Sequence, residues 1–88
     1  MDHTELTQAI KQLVLRECDK EDDFDWRDLA DDEPLFGNQS RLQLDSLDAL
    51  QLSLALQQRY GVRIEGPKEG RRLLASVASI AAFVRSAE

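Results

Sequence analysis

The segment Asp45–Gly61, DSLDALQLSLALQQRYG, decides the fold of this 88-residue chain. It predicts a helix from about Ser46 to Tyr60 that ends at Gly61, because glycine readily takes the left-handed conformation that closes a helix. At about 100° per residue, the apolar positions of this helix form two stripes on nearly opposite sides. One stripe comprises Leu47, Leu50 and Leu54, and the other comprises Ala49, Leu52, Leu56 and Tyr60.

Two stripes on one helix have two explanations, since an ordinary amphipathic surface helix carries only one. Either the helix is buried on both sides, or one stripe belongs to the core and the other is a docking surface. Burying a whole helix is difficult in so small a domain. We therefore favour a core stripe and a docking stripe, with ordinary core packing of both as the alternative.

Another helix is predicted earlier in the chain, before this segment, and we call it the first helix. A long loop connects it to the helix that starts at Ser46. The stripe of the first helix consists of Leu6, Ala9, Ile10, Leu13 and Val14. Asp2 is a candidate cap for this helix, with Glu5 completing a capping-box-like pair. The helix should end near Cys18. Residues 19 to about 44 have no sustained periodicity, but they include several apolar side chains. We predict an ordered, pinned loop in which Trp26 and Phe36 are anchors rather than ligand platforms.

Two further helices are predicted after Gly61. Gly66-Pro67 turns the chain into a short helix over about Lys68 to Leu74. Ser76 can then cap a last helix, whose buried face consists of Val77, Ile80, Ala81 and Val84. The predicted fold class is all-α: a single domain over residues 1–88, built as a four-helix bundle with one short helix and the long loop.

Composition and charge exclude several classes of function. The net charge is −6, and nine of the seventeen acidic residues lie between Asp19 and Glu33. Nucleic-acid binding is not expected, because most of this surface would repel phosphate. The single cysteine, Cys18, allows no intramolecular disulfide and no zinc spacing. There is no apolar run of about 18 residues and no signal-peptide pattern at the start, so we expect a cytoplasmic protein with no membrane span. We also expect a monomer.

Ser46 is the candidate for chemistry, because it stands where an acidic loop meets the start of the two-striped helix. The backbone N–H groups and the dipole at a helix start favour an attached phosphate. Asp45 and Asp48 would attract a cationic enzyme but repel free phosphate, which suits enzymatic modification. The alternative is that Ser46 is a simple N-cap serine whose hydroxyl satisfies a helix N–H.

Asp45-Ser46-Leu47 at the start of a helix resembles the attachment motif of acyl carrier proteins. The tripeptide alone has little specificity, but the whole run from Asp45 to Ile64 resembles the family without gaps. The first helix, the loop ending at Pro34–Gly37 and the last helix also fit in order, so that the resemblance covers nearly the whole chain.

The resemblance implies that Ser46 bears 4′-phosphopantetheine, transferred from coenzyme A by a phosphopantetheinyl transferase. The thiol of this arm would hold acyl cargo as a thioester for acyl-loading and condensing enzymes, and the protein itself would catalyse nothing. Asp45 and Asp48 would help the transferase to dock. The stripe of Leu47, Leu50 and Leu54 would bind partners, and the opposite stripe would face the interior beside the acyl chain.

The sequence departs from fatty-acid-synthesis carriers in charge. Those carriers typically have glutamates along the second helix, where this chain has Gln51, Gln57, Gln58 and Arg59. Their short third helix is usually acidic, whereas this one contains Lys68, Arg71 and Arg72. Docking should therefore depend more on the leucines and on hydrogen bonds from Gln51 and Gln58, with a partner that bears some acidic surface. A specialised lipid, polyketide or aryl-polyene type pathway is favoured over primary fatty acid biosynthesis.

Three other functions are alternatives to an acyl carrier. An unmodified helical interaction module could use the same leucines, and a carrier for amino acids would use the same arm. An enzyme with Ser46 as nucleophile is disfavoured, because the only histidine is His3 and there is no glycine-flanked nucleophile elbow.

Overall fold

A computed structural model of the protein describes residues 3–37 and 39–86, without the side chains of His3 and Pro67. Four α-helices are present in these residues, together with a single 3₁₀ turn in the loop and no strand. The helices are α1 (His3–Glu17), α2 (Ser46–Tyr60), α3 (Gly66–Leu73) and α4 (Val77–Ser86). Helix α1 packs against α2 and α4, and α3 contacts both α2 and α4. The predicted all-α fold with four helices is confirmed.

Helix α2 has the predicted bounds, because its two ends carry strong local signals. Gly61 ends the helix with φ +69°, and its N–H donates to the Gln57 carbonyl at 2.9 Å. A residue with a side chain would be strained in this left-handed conformation. Inside the helix, Leu52 and Leu56 are fully buried. Tyr60 is half-buried, and its hydroxyl is buried without a hydrogen-bond partner among the described residues.

The first and last helices contribute most of the remaining core. Four members of the predicted α1 stripe are buried, namely Leu6, Ile10, Leu13 and Val14, while Ala9 is half-buried. Cys18 is buried directly after α1. The predicted cap Asp2 lies outside the described residues. All four predicted residues of α4 are buried, and the Ser76 hydroxyl accepts the Ser79 N–H at 3.2 Å, as expected of a cap.

The short helix α3 begins two residues earlier and ends one residue earlier than the sequence predicts. Pro67 belongs to its first turn, where the fixed φ of proline suits a helix. Leu74 follows the helix, is buried, and donates its N–H to the Gly70 carbonyl at 2.8 Å. With only eight residues, α3 covers little of the side of α2 that it faces.

The loop between α1 and α2 is packed onto the core, mainly through leucines. Leu29, Leu35, Leu42 and Leu44 are buried, while the predicted anchors Trp26 and Phe36 pack against the core half-buried. Sequence analysis missed the 3₁₀ turn Trp26–Asp28. Two backbone hydrogen bonds hold the loop against the start of α4. The Leu35 N–H donates to the Ala75 carbonyl at 3.0 Å, and the Ala78 N–H donates to the Asp31 carbonyl at 2.7 Å.

Ion pairs link charged side chains within the loop and connect the loop to α1. The Arg41 guanidinium donates to both oxygens of Glu33, at 3.0 and 2.7 Å, and to the Asp28 carbonyl at 2.8 Å. The hydrogen bond from Arg41 is the main reason why the pKa of Glu33 lies below its ordinary value. Lys11 of α1 pairs with Asp31 at 2.7 Å. These pairs compensate part of the acidic charge of the loop.

Candidate functional site

A capping box forms the start of α2. The Asp45 carboxylate accepts the backbone N–H groups of Leu47 and Asp48, at 3.0 and 3.1 Å. In return, the Asp48 carboxylate accepts the Asp45 N–H at 3.0 Å. Asp45 is therefore the N-cap, so the alternative that Ser46 is a simple N-cap serine is wrong. Both residue types cap helices well, but Asp45 is the residue that lies in the extended conformation required just before the first turn.

Ser46 is consequently the first residue of α2 rather than its cap. It is exposed, and its hydroxyl makes no hydrogen bond with any described residue. The amides of Leu47 and Asp48 are already occupied by Asp45, so fewer first-turn N–H groups are open to a free phosphate than the sequence suggested. What remains at Ser46 is an accessible hydroxyl at the positive end of the helix dipole. This arrangement suits covalent modification better than reversible phosphate binding.

Cys18 lies beneath this helix start but is chemically passive. Its Sγ atom is 3.9 Å from the Asp48 carbonyl oxygen. Burial, with a smaller contribution from the Asp48 carboxylate, raises the pKa of the Cys18 thiol to about 12. The thiol therefore stays protonated at neutral pH, and a protonated thiol is neither a good nucleophile nor a metal ligand. Cys18 therefore serves as a small apolar residue of the core.

The two stripes of α2 have opposite environments. Leu47, Leu50 and Leu54 are 71%, 57% and 48% exposed, and we call them the leucine stripe. Leu52 and Leu56 of the other stripe are 0% exposed. The alternative that α2 is buried on both sides is therefore wrong. Gln51 and Gln58 are exposed as well, and their spacing of three or four residues from Leu47 and Leu54 places them on the same helix face.

An apolar groove runs between α2 and α3 and begins beside Ser46. Its volume is about 830 Å³. Leu50, Leu54 and the half-buried Ala49 form the α2 wall, so that Ala49 borders the groove rather than the deep core. The other apolar lining residues come from outside α2, and they include Phe36, Leu44, Ile64 and Leu74. The groove gives an apolar chain attached at Ser46 a place to lie.

Sequence analysis did not find the part of this groove that lies outside α2. Phe36 is distant in sequence from Ile64 and Leu74, and no periodic pattern joins them. The signal available was indirect, namely apolar residues on both flanks of a short, polar third helix. Only the packing of the loop and α3 beside α2 brings these residues to Ser46.

The described part of the chain has a further hollow, but no candidate metal site and no membrane-spanning helix. Within residues 3–37 and 39–86, no group of three or more His, Cys, Asp or Glu side chains is arranged to hold a metal ion. None of the helices described there is long and apolar enough to cross a membrane. A second hollow, between α1 and the loop, is lined by Phe24 and Trp26 and by several loop carboxylates.

No family model, curated protein or solved structure matches this chain. Its function must therefore be argued from the residues and geometry of the α2 region.

Proposed function

We propose that this protein is an acyl carrier protein whose 4′-phosphopantetheine arm is attached to Ser46. The observation that supports this best is that two adjacent residues at the start of α2 have different roles. Asp45 caps the helix, which leaves the adjacent Ser46 hydroxyl exposed and without a hydrogen bond to a described residue. A serine that stabilised the helix would be hard to modify without cost, whereas this one is available to a modifying enzyme.

The attachment reaction needs little from the carrier beyond presentation. The Ser46 Oγ atom forms a new bond to phosphorus, and the pyrophosphate P–O bond of coenzyme A breaks, so that adenosine 3′,5′-bisphosphate leaves. The hydroxyl proton passes to a base of the phosphopantetheinyl transferase. Asp45 and Asp48 give the surroundings of Ser46 a negative charge, which steers a cationic transferase surface toward the hydroxyl. The arm then supplies the thiol that carries acyl groups as thioesters, and the protein performs no catalysis of its own.

The groove and the leucine stripe match the two other tasks of a carrier. A cargo chain in the groove would remove apolar surface from water, at about 0.8 kcal/mol for each buried CH₂ group. The leucine stripe, with Gln51 and Gln58, offers acyl-loading and condensing enzymes an apolar contact with polar edges. The glutamines of α2 and the basic residues of α3 favour a specialised lipid, polyketide or aryl-polyene type pathway over primary fatty acid biosynthesis.

Intact mass spectrometry tests the attachment. The wild type is incubated with coenzyme A and a broad-specificity phosphopantetheinyl transferase, and its mass should rise by one phosphopantetheine group. Ser46→Ala should show no increase. Ser53→Ala is the matched control, because Ser53 also lies on α2 and lines the same groove, but its hydroxyl donates to the Ala49 carbonyl at 2.9 Å. A wild type that stays unmodified, or a Ser46→Ala variant that is modified, would exclude the proposal.

The second candidate is an unmodified helical interaction module, favoured by the exposure of three leucines on one face of α2. It uses the leucine stripe but needs no arm, so the same mass measurement separates the two functions. A carrier for amino acids shares the arm and differs only in its load. Mass spectrometry of the protein isolated from its own organism reads that load directly.

A further inference from the structure

One cationic side chain lines the groove, whose lining is mainly apolar. Among the described lining residues, the charged ones are Asp45 at the Ser46 end and Arg71 on α3. The Asp45 carboxylate is already engaged in the capping box. Arg71 takes part in none of the ion pairs between described residues. Its neighbour Arg72, in contrast, donates to Glu69 at 2.8 Å and does not line the groove.

The position of Arg71 along α3 places it near the Ser46 end of the groove. The Leu35 N–H donates to the Ala75 carbonyl, and the Leu44 N–H donates to the Leu35 carbonyl. These bonds hold the residues after α3 against the segment that leads into Ser46. Arg71 lies in the last turn of α3, directly before Leu74 and Ala75 follow the helix. The last turn of α3 therefore lies toward the Ser46 end of the groove, and Arg71 is the cationic lining residue of that turn.

The chemistry of this position favours an anion. A guanidinium binds carboxylate or phosphate oxygens through two parallel hydrogen bonds. Arg71 is exposed, so a pair with its guanidinium would be stronger than one in bulk solvent only where the groove's occupant itself covers the guanidinium from water. A purely hydrocarbon occupant would leave the guanidinium without a partner and would desolvate it in part. An occupant with one anionic group near this turn of α3 would satisfy it.

We propose that Arg71 is the anion-recognition residue of the groove and pairs with an anionic group on the molecule attached to Ser46. This inference rests on the proposed function. Two groups have the required chemistry: the phosphodiester of the arm itself, or a carboxylate on the acyl cargo. Either one would make Arg71 a determinant of how the load is held.

Thermal melting of four forms of the protein tests the role of Arg71. The forms are the unmodified protein, the protein with the bare arm, and the protein loaded with octanoyl or with ω-carboxyoctanoyl groups, each verified by intact mass. If the phosphodiester is the partner, adding the bare arm should raise the Tm by about 2 to 6 °C. If a cargo carboxylate is the partner, a gain of this size should separate the ω-carboxyoctanoyl form from the octanoyl form.

Variants then assign the gain to one residue. Arg71→Gln should lose it, Arg71→Lys should keep part of it, and the control Arg72→Gln should keep all of it. The proposal is overturned if Arg71→Gln retains the gain that the wild type shows, if Arg72→Gln loses as much, or if neither gain occurs in the wild type. Should Arg71→Gln fold poorly, the comparison of Arg71→Lys with Arg72→Lys decides in the same way. A protein that accepts no arm at all fails at the mass measurement, which would refute the carrier function rather than the role of Arg71.

Discussion

The two faces of α2 carry the same residue type in opposite surroundings. Leu52 and Leu56 are sealed in the core, whereas Leu50 and Leu54, each two residues away from a buried leucine, are about half exposed. The buried face packs in the core cluster together with residues of α1, α4 and the loop. The other face borders an open groove, whose far side is formed by the short α3 and part of the loop. Exposed apolar residues gathered on one face usually mark an interaction site. The difference shows that leucine content alone does not separate the part of a helix that stabilises the fold from the part that stays open to solvent.

Truncating leucines on each face should give the largest contrast. Leu52→Ala or Leu56→Ala should lower the free energy of unfolding by about 2 to 5 kcal/mol, because each leaves a cavity in a closed core. Leu50→Ala or Leu54→Ala should cost less than about 1 kcal/mol, since alanine is also the better helix former. Urea unfolding followed by circular dichroism measures all four.

The same four variants also probe function once their modification at Ser46 has been verified. Loss of Leu50 or Leu54 should slow acyl transfer by partner enzymes, because exposed apolar anchors dominate small interfaces. Equal destabilisation by all four substitutions would erase the distinction between the two faces.

A sharper contrast lies between two adjacent exposed residues at the start of α2. Asp45→Ala should lower the free energy of unfolding by about 0.5 to 2 kcal/mol, as expected for the loss of an N-cap. Ser46→Ala should change it by only about 0.5 kcal/mol or less, because the hydroxyl makes no hydrogen bond with a described residue. Thermal or chemical denaturation reads both values.

Asp45→Asn is the matched control for the capping test, since asparagine also caps helices but carries no charge. Its stability should stay near that of the wild type, while the transferase should modify it more slowly. If Ser46→Ala were as damaging as Asp45→Ala, the assignment of the cap to Asp45 would be wrong.

The smallest expected effect concerns how the loop is held over the core. The Glu33–Arg41 pair lowers the pKa of Glu33 below its ordinary value of 4.5. A lowered carboxyl pKa stabilises the folded state above pH 4.5, and this contribution is lost as the pH falls through the folded-state pKa. Arg41→Gln should therefore cost up to about 1 kcal/mol at pH 7 and should flatten the decline in stability below pH 4.5.

Urea unfolding at a series of pH values tests this expectation. Arg63→Gln is the control, because its 3.8 Å pair with Glu65 is fully on the surface and should contribute almost nothing. An identical pH profile for Arg41→Gln and the wild type would mean that the Glu33–Arg41 pair has no share in holding the loop.

Local signals explain why much of the fold could be predicted. Gly61 ends α2, Ser76 caps α4, and apolar spacing locates the buried faces of α1 and α4. Prediction was weaker where two residues could serve equally well, as at Asp45 and Ser46, which differ by one position and are both good caps. The 3₁₀ turn in the loop was also missed, since three residues are too few to show a period.

The sequence by itself determined four helices and an exposed serine at the start of the second, because periodicity, caps and stop signals act within a few residues. Only the tertiary structure decided which stripe of α2 faces water, because a helical period is the same on either side of the helix. It also decided that Phe36, Ile64, Leu74 and Arg71 line one groove beside Ser46. These residues lie far apart along the chain, and only the packing of the loop and α3 around α2 brings them together.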